Sequence, residues 1–350
     1  MSAVETGEVA ARWRTLRSAR PGIRARDAAA EIGISEAELV ASAVGDTAVR
    51  LTDSPHSLLH ALPEVGRCMA VTRNASVVSE LRGRYAGVVL GSDAGQIAGD
   101  AIDLRVCLAH WRHLFAIDEP DPQRAGGRRR SIQVFDAAGN AVHEVNLEPE
   151  GDARTWDAVV ATRSISAPLV IQPPARRGRE IPDHAVERGA LIADWDAMTE
   201  THDFVHLLAR HRVTQLQALR LAGVSRARPV KAGAIDLVLE AAASAGDSIR
   251  IVVGNHGCTQ VFSGRVHRIV RHGPWLHVLD RAFNLHLRAD HVAQSWVVAR
   301  PTRAGVVLSL ELFDADGEAI AIVVRNRDGR DCAEDPGWRA VLDRLGAVAP

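Results

Sequence analysis

The feature that most constrains the fold is an internal repeat, because the second half of the chain resembles the first at an offset of about 180 residues. The segment beginning at Ser131 and the segment beginning at Ser309 share Ser, Phe, Asp and Gly at identical spacings. A period of this length is too long for a solenoid unit and indicates a duplicated domain. The matching positions are Ser131 and Ser309, Phe135 and Phe313, Asp136 and Asp314, and Gly139 and Gly317.

Short runs of alternating apolar and polar residues predict β-strands in both halves. The run Phe283–Arg288 alternates Phe, Leu and Leu with Asn, His and Arg, which is typical of an antiparallel sheet with one buried face. The sequence therefore predicts an α+β fold built as a tandem pseudo-symmetric repeat, each half a large antiparallel β-sheet with packed helices. The predicted strands are 68–73, 76–81, 86–91 and 102–106 in the first half, and 248–254, 258–262, 265–271, 275–279 and 283–288 in the second.

The boundaries of the repeats follow from a change in composition near the middle of the chain. We predict an N-terminal repeat over 1–165, a linker over 166–192 and a C-terminal repeat over 193–350. The linker is rich in Pro and Arg and shows no helical or strand period. Within the first repeat, the run Leu108–Phe115 is predicted as a helix and Asp118–Arg130 as a loop.

The charge balance argues against a dedicated nucleic-acid-binding protein. The chain has 42 Lys and Arg against 43 Asp and Glu, whereas such proteins normally carry a basic excess. Two predicted helices around Gly33 resemble a helix-turn-helix, but the second carries Glu36 and Glu38 and no arginine before Arg50. Nucleic acid is therefore not expected as a partner, and a helix-turn-helix regulator is a remote alternative.

The cysteines and the start of the chain predict a cytoplasmic location. The four cysteines form no Cys-x-x-Cys pair, which is typical of a reducing compartment. The first residues are acidic and lack the apolar core of a signal peptide. No uncharged apolar run reaches the length of a membrane span.

The segment Trp195–His211 holds the strongest single candidate ligand. It is predicted as a helix with Thr199 as N-cap, and His202 lies among apolar residues on one face. An imidazole on an apolar wall suits the axial side of a haem, although a single helical His is more often a hydrogen-bonded structural residue. His206, one turn on, allows a third interpretation, a His-x-x-x-His metal pair, which lacks the protease Glu and an evident third ligand.

A series of motifs resembles the bacterial haemin-degrading and haemin-transport proteins of the HemS type. The motifs follow in order over about residues 10–345 and cover both repeats. They are Ala25–Ala29, Val71–Asn74 and Asp103–Arg105 in the first half, and Trp195–Phe204, Gln217–Leu221, Val253–Gln260, Gly273–Leu276, Phe283–Leu287, Trp296–Thr302 and Ser309–Asp314 in the second.

The resemblance implies a set of site residues around haem b (iron protoporphyrin IX). It implies His202 as the iron ligand and Arg105 on the opposite, distal side. Arg327 is a second distal arginine, so that Arg105 and Arg327 are the catalytic candidates, and Arg300 is expected to hold a propionate. Histidine suits the role of iron ligand because imidazole is a neutral axial ligand. Arginine suits the distal and propionate positions because it stays charged and pairs with carboxylates.

The chain departs from the family pattern at several positions. Ser79 stands where relatives often carry a His that has been a candidate second haem ligand, which weakens any haem site in the first half. Cys107, Val324 and Gln215 replace an aromatic residue, a tyrosine and an arginine. We therefore expect fewer distal and propionate contacts than in the relatives.

The resemblance implies two functions that the residues do not separate. In the leading hypothesis the chain either degrades haem by oxygen-dependent ring opening with release of iron, or traffics imported haem. In the alternative hypothesis it has no catalytic activity and is a chaperone that delivers haem to a haem oxygenase. Expected partners are haem, the ATPase side of a haem importer, a haem oxygenase or an electron donor, since ring opening needs dioxygen and electrons.

Overall fold

The chain forms two compact units in a computed structural model. One unit comprises 1–73, 80–176 and 255–260, and the other comprises 74–79, 177–254 and 261–350. We refer to them as the first unit and the second unit. The structure describes residues 3–52, 54–99, 101–121, 127–174, 180–327, 330–331 and 335–346.

The first unit places its helices before and after a series of strands. Its helices are α1 (Ala3–Ala19), α2 (Ala25–Ile32), α3 (Glu36–Ala41), α4 (Pro55–Val65) and α5 (Ala153–Arg163), and its strands are β1 (Ala48–Leu51), β2 (Gly66–Arg73), β3 (Val77–Arg84), β4 (Val88–Leu90), β5 (Ala94–Ala98), β6 (Asp103–Cys107), β7 (His113–Pro120), β8 (Arg128–Phe135) and β9 (Ala141–Gly151). Neighbouring strands follow the orders β1-β7-β8-β9-β2-β3 and β4-β5-β6.

The second unit repeats this arrangement. Its helices are α6 (Arg188–Asp196), α7 (Asp203–His211), α8 (Gln215–Ala222), α9 (Ala234–Ala245) and α10 (Pro336–Asp343), and its strands are β10 (Ala227–Val230), β11 (Ser248–Gly254), β12 (Cys258–Arg265), β13 (Ile269–His272), β14 (Trp275–Leu279), β15 (Phe283–Arg288), β16 (Gln294–Thr302), β17 (Gly305–Phe313), β18 (Ala319–Arg327) and β19 (Arg330–Asp331). The orders β10-β16-β17-β18-β11-β12 and β13-β14-β15 match those of the first unit strand for strand. The predicted α+β fold of large antiparallel sheets in a tandem repeat is confirmed.

The two repeats share a hairpin turn that local chemistry explains. In the first unit the Asp136 carboxylate accepts hydrogen bonds from the backbone N–H groups of Ala138 and Asn140, at 2.9 and 2.8 Å. In the second unit Asp314 closes the turn between β17 and β18 in the same way. Each turn ends in a glycine with positive φ, 81° at Gly139 and 80° at Gly317, a conformation that favours glycine.

Two elements of the first repeat differ from the prediction. The run Leu108–Phe115 is not a helix, because a short 3-10 turn (Leu108–His110) leads into β7. The predicted loop Asp118–Arg130 contains the end of β7 and the start of β8, which pair with each other. Alternating burial along β7 is weak, since four successive residues at its start are buried, so the apolar period resembled that of a helix.

Helix α4 is present where the sequence predicted only strands and turns. Ser54 caps it, Pro55 occupies its first turn, and its buried residues recur at helical spacing. Helix α9 occupies the equivalent place in the second unit. None of the described helices combines the length and apolar composition that crossing a membrane requires.

Helices α2 and α3 form the predicted helix, turn and helix around Gly33. Gly33 adopts a left-handed conformation with φ 85°, and α3 begins with a capping box between Ser35 and Glu38. Glu36 pairs with Arg73. The two acidic side chains of α3 therefore form contacts within the protein. A helix that binds DNA phosphates would carry basic side chains instead.

Candidate functional site

His202 lies in the turn between α6 and α7, at the position that caps α7. The predicted helix Trp195–His211 is wrong in its first half, because α6 ends at Asp196 and α7 begins at Asp203. Trp195 is fully buried and donates from Nε1 to the Ala299 carbonyl oxygen at 3.0 Å. The break between the helices places His202 on a turn that is exposed to solvent.

The Asp203 carboxylate organises this turn. Its Oδ2 atom accepts hydrogen bonds from the backbone N–H of Thr199 at 2.8 Å and of Glu200 at 3.0 Å, and from the Thr199 hydroxyl at 3.1 Å. These hydrogen bonds from Thr199 and Glu200 hold the pKa of Asp203 below its ordinary value. The sequence predicted Thr199 as the N-cap of the helix. In the structure Thr199 instead donates hydrogen bonds to Asp203 of α7 and does not cap the helix.

The His202 imidazole is accessible and has an acidic neighbour on one side. Its side chain is 66% exposed, and Nδ1 lies 3.2 Å from Oε2 of Glu200. Nε2 lies 3.9 Å from Oδ1 of Asp203, which is beyond hydrogen-bond distance. A histidine whose Nδ1–H faces an acceptor presents the Nε2 lone pair to an incoming metal.

The remainder of α7 separates a buried face from an exposed one. Phe204 and Leu207 are buried in the core of the second unit, whereas Val205 is 65% exposed. His206 lies one turn beyond His202, with the two ring centroids 6.5 Å apart. An exposed large apolar residue between two histidines gives this surface the mixed character that an axial haem wall requires.

Arg300, on β16, lies under α7. Its guanidinium stacks on the Phe204 ring, with 4.1 Å between the guanidinium carbon and the ring centroid. It forms a buried ion pair with Glu311, and its Nη1 also donates to the Ser309 hydroxyl oxygen at 3.4 Å. Gln215, at the start of α8, donates to the other Glu311 oxygen at 2.7 Å. The sequence predicted Arg300 as the contact to a propionate, and the structure places its side chain in a buried network.

The structure therefore joins α7, α8 and two strands through side chains that the sequence did not single out together. Glu311 is completely buried, and a buried carboxylate needs a cation and hydrogen bonds. A charged residue at a strand position flanked by Leu310 and Leu312 was the available signal. Among the described residues, Arg300 Nε is buried without a hydrogen-bond partner, so the guanidinium retains a free donor.

Arg105 belongs to the first unit, whereas His202 belongs to the second. It lies on β6, opposite Gln96 of β5, and its side chain is 48% exposed. Its Nη1 pairs with Asp103 and approaches the Leu104 carbonyl oxygen at 3.3 Å. Among the described residues, the other N–H groups of this guanidinium have no hydrogen-bond acceptor and are available to a ligand.

Other predicted positions have simpler outcomes. The Arg327 side chain lies outside the described residues. Ser79 is fully buried and Cys107 is half-buried.

Among the described residues no group of three or more His, Cys, Asp or Glu could hold a metal ion, which leaves the His202–His206 pair without a third ligand. A cavity of about 410 Å³ in the second unit is lined by Trp195, Arg226 and Arg339 among others, but not by His202.

Both repeats match one family model. The model is described as the "Haemin-degrading HemS.ChuX domain" and covers residues 33–162 and 212–345. Among curated proteins, the chain is 37% identical over 327 residues to the hemin transport protein HmuS of Yersinia pestis, and the match covers 93% of each chain. The two matched regions correspond to the two units of strands described above.

Solved structures give the same assignment. The chain is similar to holo-PhuS, a heme-binding protein from Pseudomonas aeruginosa, with a TM-score of 0.93, 39% identity and coverage of 98% of this chain and 99% of that one. It is also similar to ChuS, a heme degrading enzyme of Escherichia coli O157:H7, with a TM-score of 0.89, 34% identity and coverage of 97% and 99%.

Proposed function

Because the chain belongs to the HemS family of haemin-degrading domain proteins, we propose that it binds haem b through the imidazole of His202. The observation that carries the proposal is the geometry of the α6–α7 turn. It presents an exposed imidazole with the Glu200 carboxylate 3.2 Å from Nδ1, whereas Oδ1 of Asp203 lies 3.9 Å from Nε2, beyond hydrogen-bond distance. This donor set fits an axial ligand and its orienting acceptor.

Each proposed residue has a task that its own chemistry supports. Glu200 accepts from Nδ1–H and fixes the tautomer of His202, so that Nε2 faces the iron. Arg105 donates to a ligand on the distal side, and Arg327 is the proposed second distal donor. Arg300 holds α7 through Phe204 and Glu311, and it stays our proposed partner of a propionate.

The haem, when bound, supplies the redox-active iron and the macrocycle that is opened. The protein supplies the axial imidazole, the orientation of the ring and the positive charge of its arginines. We propose that the chain degrades haem with dioxygen and electrons from a separate donor. We place this activity in the cytoplasm, in keeping with the free thiols of Cys68, Cys107 and Cys258.

A second candidate function, delivery of haem to a haem oxygenase, is favoured by one observation. The Arg105 guanidinium is already paired with Asp103, and this ion pair reduces the positive charge that a distal ligand meets. The names of the relatives include both functions, since HmuS is a hemin transport protein and ChuS a heme degrading enzyme. An importer ATPase or an oxygenase is then the partner to test.

Titration of the purified protein with haemin, followed by the visible spectrum, tests the proposed ligand. We expect His202→Ala to shift and weaken the Soret band. His206→Ala, one turn further along the chain in α7, is the matched control and should leave the band unchanged. An unaltered spectrum in His202→Ala would show that another residue binds the iron.

Addition of ascorbate in air, with catalase present, then separates degradation from delivery. Loss of the Soret band that persists with catalase is expected for ring opening, because catalase removes free peroxide. A stable Soret band under the same conditions, with transfer of haem to an added haem oxygenase, would establish the delivery function instead.

A further inference from the structure

The only tyrosine of the chain lies in a buried polar cluster of the first unit. We name it the Tyr85 cluster and define it as Thr72, Tyr85, Trp111, His143 and Cys258. The Tyr85 hydroxyl is 2.7 Å from His143 Nε2, and the Thr72 hydroxyl is 3.0 Å from His143 Nδ1. Trp111 stacks on the imidazole, with 5.6 Å between ring centroids and 28° between planes. All five side chains are buried.

The hydrogen bonds fix where the protons lie. Burial lowers the pKa of His143 to about 3 and raises the pKa of Tyr85 well above its ordinary value, so both groups are neutral near pH 7. A neutral imidazole has one donor and one acceptor nitrogen. Because the phenol is the stronger acid, it donates to Nε2, and Nδ1–H then donates to the Thr72 hydroxyl oxygen. The Thr72 proton is left to face Cys258 Sγ at 3.4 Å.

The second unit shows that the fold does not need this cluster. At the equivalent positions it has only small apolar residues, all of them buried. A buried polar network costs desolvation that valines and alanines avoid, so its presence in one repeat alone points to a chemical role. The equivalents of Thr72, Tyr85, Trp111, His143 and Cys258 are Val253, Val266, Val292, Ala321 and Val77.

The cysteine is not the reactive group of the cluster. Burial raises the pKa of Cys258 to about 12, so its thiol is protonated and a poor nucleophile. Trp111 donates from Nε1 to the Gly257 carbonyl oxygen at 2.9 Å and therefore serves to hold the imidazole plane. The Tyr85–His143 pair remains as an acid and a base in direct contact.

We propose that the Tyr85–His143 pair is a one-electron donor site that reduces the strong oxidant formed when haem bound to this protein meets hydrogen peroxide. The source of the oxidant rests on the proposed function, whereas the redox chemistry of the pair does not. One electron leaves the phenol, the O–H bond of Tyr85 breaks, and a new N–H bond forms at His143 Nε2. The products are a neutral tyrosyl radical and an imidazolium. An external one-electron reductant such as ascorbate then restores the phenol, and the proton returns from Nε2.

The short hydrogen bond makes this step independent of solvent. The proton passes directly between two buried atoms that lie 2.7 Å apart, so neither bulk base nor water is required. Cys68, Cys258 and Glu144 are the titratable groups whose charges bear on Tyr85. Burial raises the pKa of both thiols to about 12, so they stay protonated through pH 9, and Glu144→Gln removes the remaining charge.

The first experiment uses the haem-free protein. A laser-flashed ruthenium tris-bipyridine complex with persulfate supplies the oxidant, and electron paramagnetic resonance at low temperature records the radical. We expect a tyrosyl signal whose yield is the same at pH 7 and pH 9. Tyr85→Phe should abolish it, and Trp275→Phe, in the second unit, should leave it intact. A tyrosyl signal whose yield rises with pH, or no tyrosyl signal in the parent protein, overturns the proposal.

The role of the base has its own variant. His143→Gln keeps a hydrogen-bond acceptor for Tyr85 but removes the base, so the radical yield should fall at least about tenfold while the circular dichroism spectrum is preserved. Should that variant not fold, His143→Ala, which copies Ala321 of the other repeat, takes its place. An undiminished tyrosyl yield in either variant shows that the proton does not go to His143 and overturns the pairing.

The second experiment adds haemin and hydrogen peroxide in the absence of light. The same tyrosyl signal is expected in the haem-loaded parent protein and not in Tyr85→Phe. A signal in the first experiment but not in the second would overturn the haem-peroxide oxidant while leaving the redox pair in place. Failure of haem to bind at all would be seen in the visible spectrum, so failure of the proposed function is distinguished from failure of the proposed pair.

Discussion

The guanidinium of Arg300 stacks on the ring of Phe204, two residues from His202 along the chain, at 4.1 Å from the ring centroid. The same guanidinium pairs with Glu311, which is completely buried. Arg300 thus links the sheet of the second unit to α7, the helix that begins directly after the proposed ligand. Both its charge and its planar shape are used, and lysine could supply only the charge.

Replacement of Arg300 by methionine is expected to destabilise the protein strongly. The change leaves the Glu311 carboxylate buried without a cation, and breaking a buried ion pair in this way costs about 3–5 kcal/mol. The free energy of unfolding from urea titrations measures the loss. Arg24→Met, which breaks the exposed pair between Arg24 and Asp27, should cost about 1 kcal/mol or less.

The double variant Arg300→Met/Glu311→Gln separates a lost charge from lost packing. Removing the uncompensated carboxylate should recover part of the stability lost in Arg300→Met. If the double variant is as unstable as the sum of its single variants, the two residues do not act as a pair and the interpretation of the network is wrong.

The fold could be predicted because the repeat and its turns are encoded locally. Asp136 and Asp314 form equivalent turns that need only an Asp, a Gly and flanking strands, and the predicted α+β repeat is confirmed. The family resemblance is confirmed as well. The start of α7 was misplaced, because the Asp203 carboxylate reaches back to Thr199 and closes a turn where a helix was predicted.

The candidate site could be predicted only in part. The identity of His202 as a candidate came from its motif, and its exposure came from the structure. The pairing of Arg300 with Glu311 depends on the register of the β16–β17 hairpin, and β16 was not predicted from the sequence. The Tyr85 cluster brings together side chains from Thr72 to Cys258, separated by 186 positions, so periodicity along the chain could not reveal it.

Glu200→Ala is expected to weaken haem binding by about tenfold, which is the lower end of the range for residues that orient a metal ligand. The low end is appropriate because Glu200 is half exposed and solvent can replace it in part. Haemin titrations followed at the Soret band give the affinity. Glu240→Ala, an exposed acid on α9, removes the same charge and should leave it unchanged. Equal affinities in parent and Glu200→Ala would contradict the assigned orientation of His202.

The two equivalent turn glycines provide a matched pair of substitutions. An added Cβ at Gly139 would lie 2.4 Å from Ser35 Oγ and 2.5 Å from Ser35 Cβ, whereas at Gly317 the nearest atom is Leu216 Cδ2 at 3.2 Å. Both alanines pay about 1–2 kcal/mol for the left-handed backbone. Gly139→Ala should lower the free energy of unfolding by about 1–3 kcal/mol more, because its Cβ clashes with Ser35, the residue that caps α3. Urea unfolding of the two variants measures the difference, and equal losses would contradict the close approach of Ser35.

The buried imidazole of His143 should make stability depend on pH. Burial lowers its pKa from 6.5 to about 3 in the folded protein, so the unfolded chain binds a proton first as the pH falls. With this depressed pKa, the stability that depends on His143 is fully present above pH 6.5. That stability is lost as the pH falls from 6.5 to about 3. Between pH 7 and pH 4 the loss from this residue is about 3 kcal/mol.

Carboxylates also titrate over this range, so the test is the difference between the parent protein and His143→Ala. The variant starts less stable at pH 7, because it leaves a cavity beside Trp111 and a Tyr85 hydroxyl without its acceptor. Its free energy of unfolding should nevertheless fall by about 3 kcal/mol less than that of the parent protein between pH 7 and pH 4. His60→Ala, at an exposed position of α4, should fall in parallel with the parent. Parallel curves for His143→Ala and the parent protein would mean that His143 takes up a proton in the folded protein as readily as in the unfolded chain, and the assignment of a depressed pKa to this imidazole would be wrong.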